Sequence, residues 1–151
     1  MTSYILPVLK KSILMTFRIY LSIVFLIYGL AKFWPGQFPN GTHVVYDSSV
    51  NSPFDLAWAF FGHSRMYELM IGAGEVTAAI LLLIPRTRTL GALIYFPIAL
   101  NVMMVNYFFE IGVLDLSTVM VVMAGCLLLA DFKKISVLWS PDLQERGRNK
   151  E

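Results

Sequence analysis

From residue 12 to residue 34 the chain is almost wholly apolar, broken by one charge, Arg18, and closed by Lys32 and Pro35. A bilayer core ~30 Å thick is crossed by about 20 apolar residues in a helix, so this stretch reads as a membrane span. Three more follow. The second covers residues 65–84, with Ser64 as N-cap and Pro85 as the stop. The third covers 89–109 and the fourth 113–130, separated by Gly112. Lys10 and Lys11 precede the first run as they would a signal peptide. That run is too long for a signal core and lacks a small-residue cleavage site, so it is expected to stay as an uncleaved span.

Composition agrees. Hydrophobic residues make up 57% of the 151 residues and charged ones 15%, against about 45–50% and about 25% in soluble domains. So much apolar surface needs lipid as its solvent. A net charge of +2, with the basic residues at segment ends, does not describe a nucleic-acid groove. Cys126 is the single cysteine, which excludes an internal disulfide, a CxxC redox pair and a Cys/His metal set. It is expected to be buried, protonated and inert.

The basic residues also give an orientation. Lys10, Lys11, Arg18, Arg86, Arg88, Lys133, Lys134, Arg146, Arg148 and Lys150 fall on one side, leaving only Lys32 and Arg65 of the twelve on the other. The rich side is cytoplasmic, which puts both termini and the 85–88 turn there, with Arg86 and Arg88 as anchors on anionic lipid. The expected fold is all-α: a polytopic membrane four-helix bundle with an extracytoplasmic loop at 35–64 and a cytoplasmic tail at 131–151. In the loop, Asn40-Gly41 signals a tight turn or small hairpin, and Asn40-Gly41-Thr42 fits a glycosylation sequon. Ser52-Pro53 starts a short helix, with Asp55 in its first turn. Phe54, Leu56, Trp58, Phe60 and Phe61 make that helix interfacial, a cap for the outer mouth. The tail from Pro141 is polar and expected to fray.

Charges within spans are expensive and need a reason. Glu75 lies about ten residues into the second span, near the midplane, and Asn101 reaches a similar depth in the third. Arg18 is about 6–8 Å shallower, within reach of its long side chain. An Arg18–Glu75–Asn101 cluster is therefore expected inside the bundle. It serves either as a polar lock between helices or as a proton or ligand site. Gly72, Ala73 and Gly74 beside it allow a close helix crossing. Toward the outer mouth, His63, Arg65, Tyr67, Glu68, Asn106, Tyr107, Glu110 and Asp115 are candidates to hold a polar headgroup or a quinone ring.

Several stretches resemble the DoxX-like family. They are Trp58-Ala59-Phe60-Phe61-Gly62-His63-Ser64, Tyr67, Gly72-Ala73-Gly74-Glu75, Arg86-Thr87-Arg88-Thr89-Leu90-Gly91-Ala92-Leu93, Asn101-Val102 and Asn106, with Tyr28-Gly29-Leu30-Ala31-Lys32-Phe33 a looser match. His63 stands where that pattern has Tyr, Pro85 where it has the first of two Arg, and Glu110-Ile111-Gly112-Val113-Leu114 where it has Asp-Val-Pro-Val-Lys. The resemblance implies a four-helix bacterial inner-membrane protein. It also implies an accessory role: founding members are subunits of a thiosulfate:quinone oxidoreductase, others associate with membrane redox complexes, and a distant branch resembles assembly chaperones.

Three functions compete on these readings. One is a non-catalytic or quinone-contacting subunit of a redox complex, with Glu75, Arg18, Asn101, Asn106, His63 and Tyr67 as ligand or proton-site candidates. No metal site, intrinsic cofactor or self-contained catalytic motif is expected; the partners are lipid and other membrane subunits or further copies of the chain. The second is a membrane-protein assembly factor. The third is a small proton-coupled carrier built on Glu75.

Overall fold

The computed structural model describes residues 2–39 and 46–137, and its element order is α1 (Thr2–Phe33), α2 (Pro53–Gly62), α3 (Arg65–Leu83), α4 (Arg88–Phe108), α5 (Leu114–Ala130) and α6 (Phe132–Val137). The Asn40-Gly41 turn, the sequon and the polar tail from Pro141 lie outside the described residues, which contain no strand.

Helix ends fall where local chemistry puts them. Ser64 caps α3 by accepting from the Tyr67 N–H, and Ile84 and Pro85 end it. Thr87 Oγ1 closes the following turn by donating to the Leu81 carbonyl at 3.1 Å. At the other end of α4, Gly112 takes φ +90°, a conformation open to glycine and costly for other residues, and the chain reverses into α5. The first helix departs from expectation. It begins at Thr2, not near residue 12, with Pro7 inside it. The apolar run ends at Lys11, but Lys10 and Lys11 are exposed and are good helix formers. Pro7 falls in the second turn, where it costs one hydrogen bond.

Three helices are long and apolar enough to cross a membrane, over Ile5–Phe33, Arg65–Leu83 and Arg88–Phe108. Lipid is the fitting solvent for the apolar side chains they turn outward. α5 is apolar but shorter, at 17 residues. These four helices form a closed ring in which α1 packs on α3 and α5, and α4 on α3 and α5.

The core fills only half of the ring. Leu21, Phe25, Ala78, Leu82, Ala92, Tyr95, Met120, Ala124 and Leu127 are packed there. Tyr95 stacks on Phe25, with centroids 3.6 Å apart, and donates its hydroxyl to the Leu21 carbonyl. Ser22 Oγ donates to the Ala79 carbonyl at 3.0 Å. Each bond satisfies a buried hydroxyl and fixes the rotation of one helix against its neighbour. Gly91 lets α4 approach α3, since a Cβ there would lie 2.5 Å from the Leu82 backbone nitrogen. Cys126 is exposed, contrary to expectation. α5 is apolar on every side, so its sequence does not distinguish a core-facing position from a surface one.

Candidate functional site

On the turns that continue past this core, toward α2, the four helices leave a cavity of about 700 Å³. Its wall is apolar, with Phe25, Ile71, Ile98, Val105, Leu116 and Met120 among the lining side chains. Across its mouth lies α2, contributing Phe54, Trp58 and Phe61.

The mouth is assembled from the loop upward. Ser52 and Asp55 form a reciprocal capping box that starts α2, with the Ser52 N–H donating to Asp55 Oδ2 at 2.8 Å and the Asp55 N–H to Ser52 Oγ at 3.3 Å. Hydrogen bonds from Ser52 hold the Asp55 carboxyl below the usual carboxylate range. The other end of α2 is docked through Gly62, where a Cβ would meet the Pro39 carbonyl oxygen at 2.5 Å. Phe38 then stacks on Phe61 and meets Trp58 edge-on, both with centroids 5.3 Å apart.

Phe38 is held there by Glu68, which is fully buried. Glu68 Oε1 accepts the backbone N–H groups of Gln37 at 2.6 Å and Phe38 at 3.2 Å, while Oε2 accepts from Arg65 Nη1 at 2.6 Å. Arg65 Nη2 donates in turn to the Phe33 carbonyl at the end of α1. Arg65 and Glu68 thus bind the chain leaving α1 to the start of α3 and deliver Gln37 and Phe38 to the cavity.

At the level of α1 and α3 the wall carries an ion pair. Lys32 Nζ lies 2.8 Å from Glu75 Oε2, with side chains 5% and 3% exposed. Glycines make room for both. A Cβ on Gly29 would fall 3.2 Å from the Glu75 Cβ, and one on Gly72 would fall 2.9 Å from the Gly29 carbonyl oxygen and 3.0 Å from the Lys32 Cβ. Each charged residue therefore sits level with a glycine on the facing helix, and the two Cα positions are offset by about one turn, ~4.5 Å along the axis. The lysine stem spans that offset. Gly74 has no such role, since its nearest contact would be Ile98 Cδ1 at 3.6 Å.

The expected Arg18–Glu75–Asn101 cluster is thus corrected. Asn101 lines the cavity with Glu75, but the cation on Glu75 is Lys32. Arg18 lies at the opposite end of the core, where its charged neighbours are Arg88 and Asp131. Asp131 accepts from Thr89 Oγ1 at 2.9 Å and Lys134 Nζ at 2.7 Å. Burial works to raise its carboxyl, and the bonds from Lys134 and Thr89, with the Lys134 and Arg18 charges, outweigh that and hold it below the usual range. Asn101 is itself exposed.

Of the other candidates, Tyr67 lines the cavity with its ring stacked near Phe61, and Asn106 lines it at 5% exposure. Asn106 Nδ2 donates to the Val102 carbonyl at 2.8 Å, while its Oδ1 is buried with no partner. Gln37 Oε1 is in the same state. His63 is exposed at the end of α2, outside the cavity lining. Tyr107, Glu110 and Asp115 are also exposed and lie outside it. No group of three potential metal ligands occurs among the described residues. Lys32 and Gln37 are the site residues that sequence reasoning missed. Lys32 carried a signal, since it lies one turn from Gly29 and is one of only two basic residues on its side.

The chain is 50% identical over 125 residues to the uncharacterized protein YwoB of Bacillus subtilis (strain 168), an alignment covering 83% of this chain and 80% of that one. It matches no family model and no solved structure.

Proposed function

The chain belongs to the family of Bacillus subtilis YwoB, and from its site we propose that it is a DoxX-like accessory protein of the bacterial inner membrane, holding a quinone-class ring in the cavity for a redox complex. In this reading α5 is a fourth span, because 17 residues reach about 26 Å and the lower limit for a span is about 17. The bias of basic residues puts both termini and the 85–88 turn in the cytoplasm, so the cavity opens toward the outer face.

The cavity itself carries the proposal. It is large enough for a small ligand, apolar over most of its wall, aromatic at its mouth and supplied with a few converging polar groups, the usual make-up of a small-molecule site. Phe54, Trp58, Phe61 and Tyr67 offer faces for a planar ring, and the apolar wall suits a hydrocarbon tail. The Lys32–Glu75 pair supports a ligand-facing role. Apolar residues of similar volume would stabilise the bundle as well or better than a buried ion pair.

Quenching of Trp58 fluorescence tests this reading directly. In a chain with Trp34 and Trp139 replaced by Phe, titration with decylubiquinone or its reduced form in nanodiscs is expected to give saturable quenching that Glu75→Gln weakens. Linear, non-saturable quenching by both forms would end the proposal.

A further inference from the structure

Arg18 is a charge without an anion of its own. It is 8% exposed and makes no hydrogen bond or ion pair among the described residues. Buried charges are ordinarily paired, because an unpaired one loses its hydration uncompensated. The guanidinium is nonetheless within reach of a ligand. Among the described residues, the fully enclosed side-chain atoms without a partner are Gln37 Oε1 and Asn106 Oδ1, so the nitrogens of Arg18 hold part of the surface that the residue keeps.

Helical register shows what that guanidinium faces. Gly29 is level with Glu75, and Arg18 lies eleven residues back along α1, about 16 Å by helical rise. The same distance along the antiparallel α3 leads from Glu75 to the 85–88 turn, where α4 begins. The charged neighbours of Arg18 are accordingly Arg88, the first residue of α4, and Asp131, which accepts from Thr89 Oγ1. Arg88 is half-buried and makes no hydrogen bond or ion pair among the described residues. Asp131 is in ion-pair contact with neither arginine and is already held by Lys134. Two positive charges therefore stand uncompensated at the start of a helix. That start is itself open: Thr87 makes no side-chain cap, its hydroxyl being turned back to the Leu81 and Ile84 carbonyls.

Two guanidinium groups beside an uncapped helix N-terminus suit an anion with several acceptor oxygens. We propose that Arg18, Arg88 and the first turn of α4 bind a phosphate group, with the guanidinium groups donating to its oxygens. An anion there replaces the repulsion between the arginines with attraction and gives Arg18 the partner it lacks. A membrane presents that group on its phospholipids. Leu90, in the same turn of α4, and Leu129, close to Asp131 in sequence, are apolar and exposed, as an acyl chain requires. Anchoring a helix end on lipid needs only an exposed arginine; the burial of Arg18 is what makes a site. This site lies at the opposite end of the core from the cavity and does not depend on the ligand read there.

Native mass spectrometry of the delipidated full chain in mild detergent tests this, with dioleoylphosphatidylglycerol, dioleoylglycerol and inorganic phosphate as probes. The phospholipid is expected to bind at least about tenfold more tightly than dioleoylglycerol, which has the same chains and no phosphate. Arg18→Gln and Arg88→Gln are each expected to weaken it about tenfold, the scale of one lost charge-assisted hydrogen bond. Lys10→Gln removes an equal charge at an exposed position and is expected to leave the affinity unchanged. Arg88 is only half-buried, so its variant keeps the test usable should Arg18→Gln fail to fold. Binding of inorganic phosphate that depends on both arginines, with no preference between the lipids, supports the phosphate site and assigns it to a soluble ligand. Equal binding of the two lipids with no binding of inorganic phosphate overturns the proposal. So does an affinity unchanged in both arginine variants, or a loss in Lys10→Gln as large as theirs, which would report general attraction to anionic lipid.

Discussion

Two ion pairs of nearly equal length lie at opposite ends of the packed core, Lys32–Glu75 at 2.8 Å and Lys134–Asp131 at 2.7 Å. Their surroundings differ far more than their geometry. The first has side chains 5% and 3% exposed and bridges two helices; in the second the lysine is 56% exposed and the partners are three residues apart. Water can replace either partner of the second pair, and neither partner of the first. Length therefore says little about what a pair contributes, and the consequence of losing one partner separates them. Lys32→Ala leaves a carboxylate in an apolar wall and is expected to cost about 3–5 kcal/mol, measured as thermal unfolding in mild detergent. Lys32→Met with Glu75→Met removes both charges and is expected to recover most of that stability. A double variant no better than the single one would show that the pair is not acting as a buried unit.

Glu68 stands next, because it holds a loop in place as well as a charge. Glu68→Ala frees the backbone N–H groups of Gln37 and Phe38 and unpairs Arg65. The expected loss is about 2–4 kcal/mol, accompanied by faster proteolysis near residues 34–39. A smaller loss with unchanged protease resistance would separate the position of Phe38 from Glu68.

Much of this architecture was readable from the chain. α3, α4 and α5 match the expected spans within a residue or two at each end, because Ser64, Pro85 and Gly112 punctuate them chemically. Depth was readable in part. Asn101 and Glu75 do line one cavity, but Arg18 was set too near Glu75, because α1 begins at Thr2 and its register against α3 does not follow from the start of the apolar run. What could not be read was the axial register of α1 against α3, and azimuth. Helical rise fixes how far along its axis a residue lies, while the face it turns to a neighbour depends on which helices pack together and how closely. Arg18 lacked the reach: Gly29 is the α1 residue level with Glu75, about 16 Å of helical rise from Arg18. Lys32 lies within one turn of that level, on the face that the crossing of Gly29 over Gly72 turns to Glu75. Charge counting also set Lys32 aside as a boundary residue, although its stem runs back toward Glu75. Gln37 could not have been found, since a backbone bond to a glutamate 31 residues away places it.

The crossing itself sharpens the comparison. A methyl at Gly72 would meet a carbonyl oxygen and the lysine stem within 3.0 Å, so Gly72→Ala is expected to cost about 1–3 kcal/mol by forcing α1 and α3 apart. Gly74→Ala, two residues on with ordinary contact distances, is expected to be neutral or slightly stabilising through helix propensity. Equal effects at the two glycines in thermal unfolding would remove the close crossing as the device that seats the ion pair.

The smallest effect belongs to the exposed pair, and its sign with pH tests whether that pair contributes at all. The folded-state value of Asp131 lies below the ordinary one. Its contribution is therefore fully present above the ordinary carboxylate range and is lost as the pH falls through the folded-state value. Lys134→Ala removes one of several groups that hold it down and, with the lysine more than half exposed, is expected to cost less than about 1 kcal/mol. Asp131→Asn should show the same small deficit at about pH 6, and the gap to the parent chain should close as the pH falls below the ordinary carboxylate range and through the parent's own folded-state value. A deficit that persists unchanged to low pH would assign the effect to a weakened Thr89 hydrogen bond and not to charge. A deficit as large as that of Lys32→Ala would mean that this end of the bundle is as sealed from water as the cavity wall, and the contrast between the two pairs would be lost.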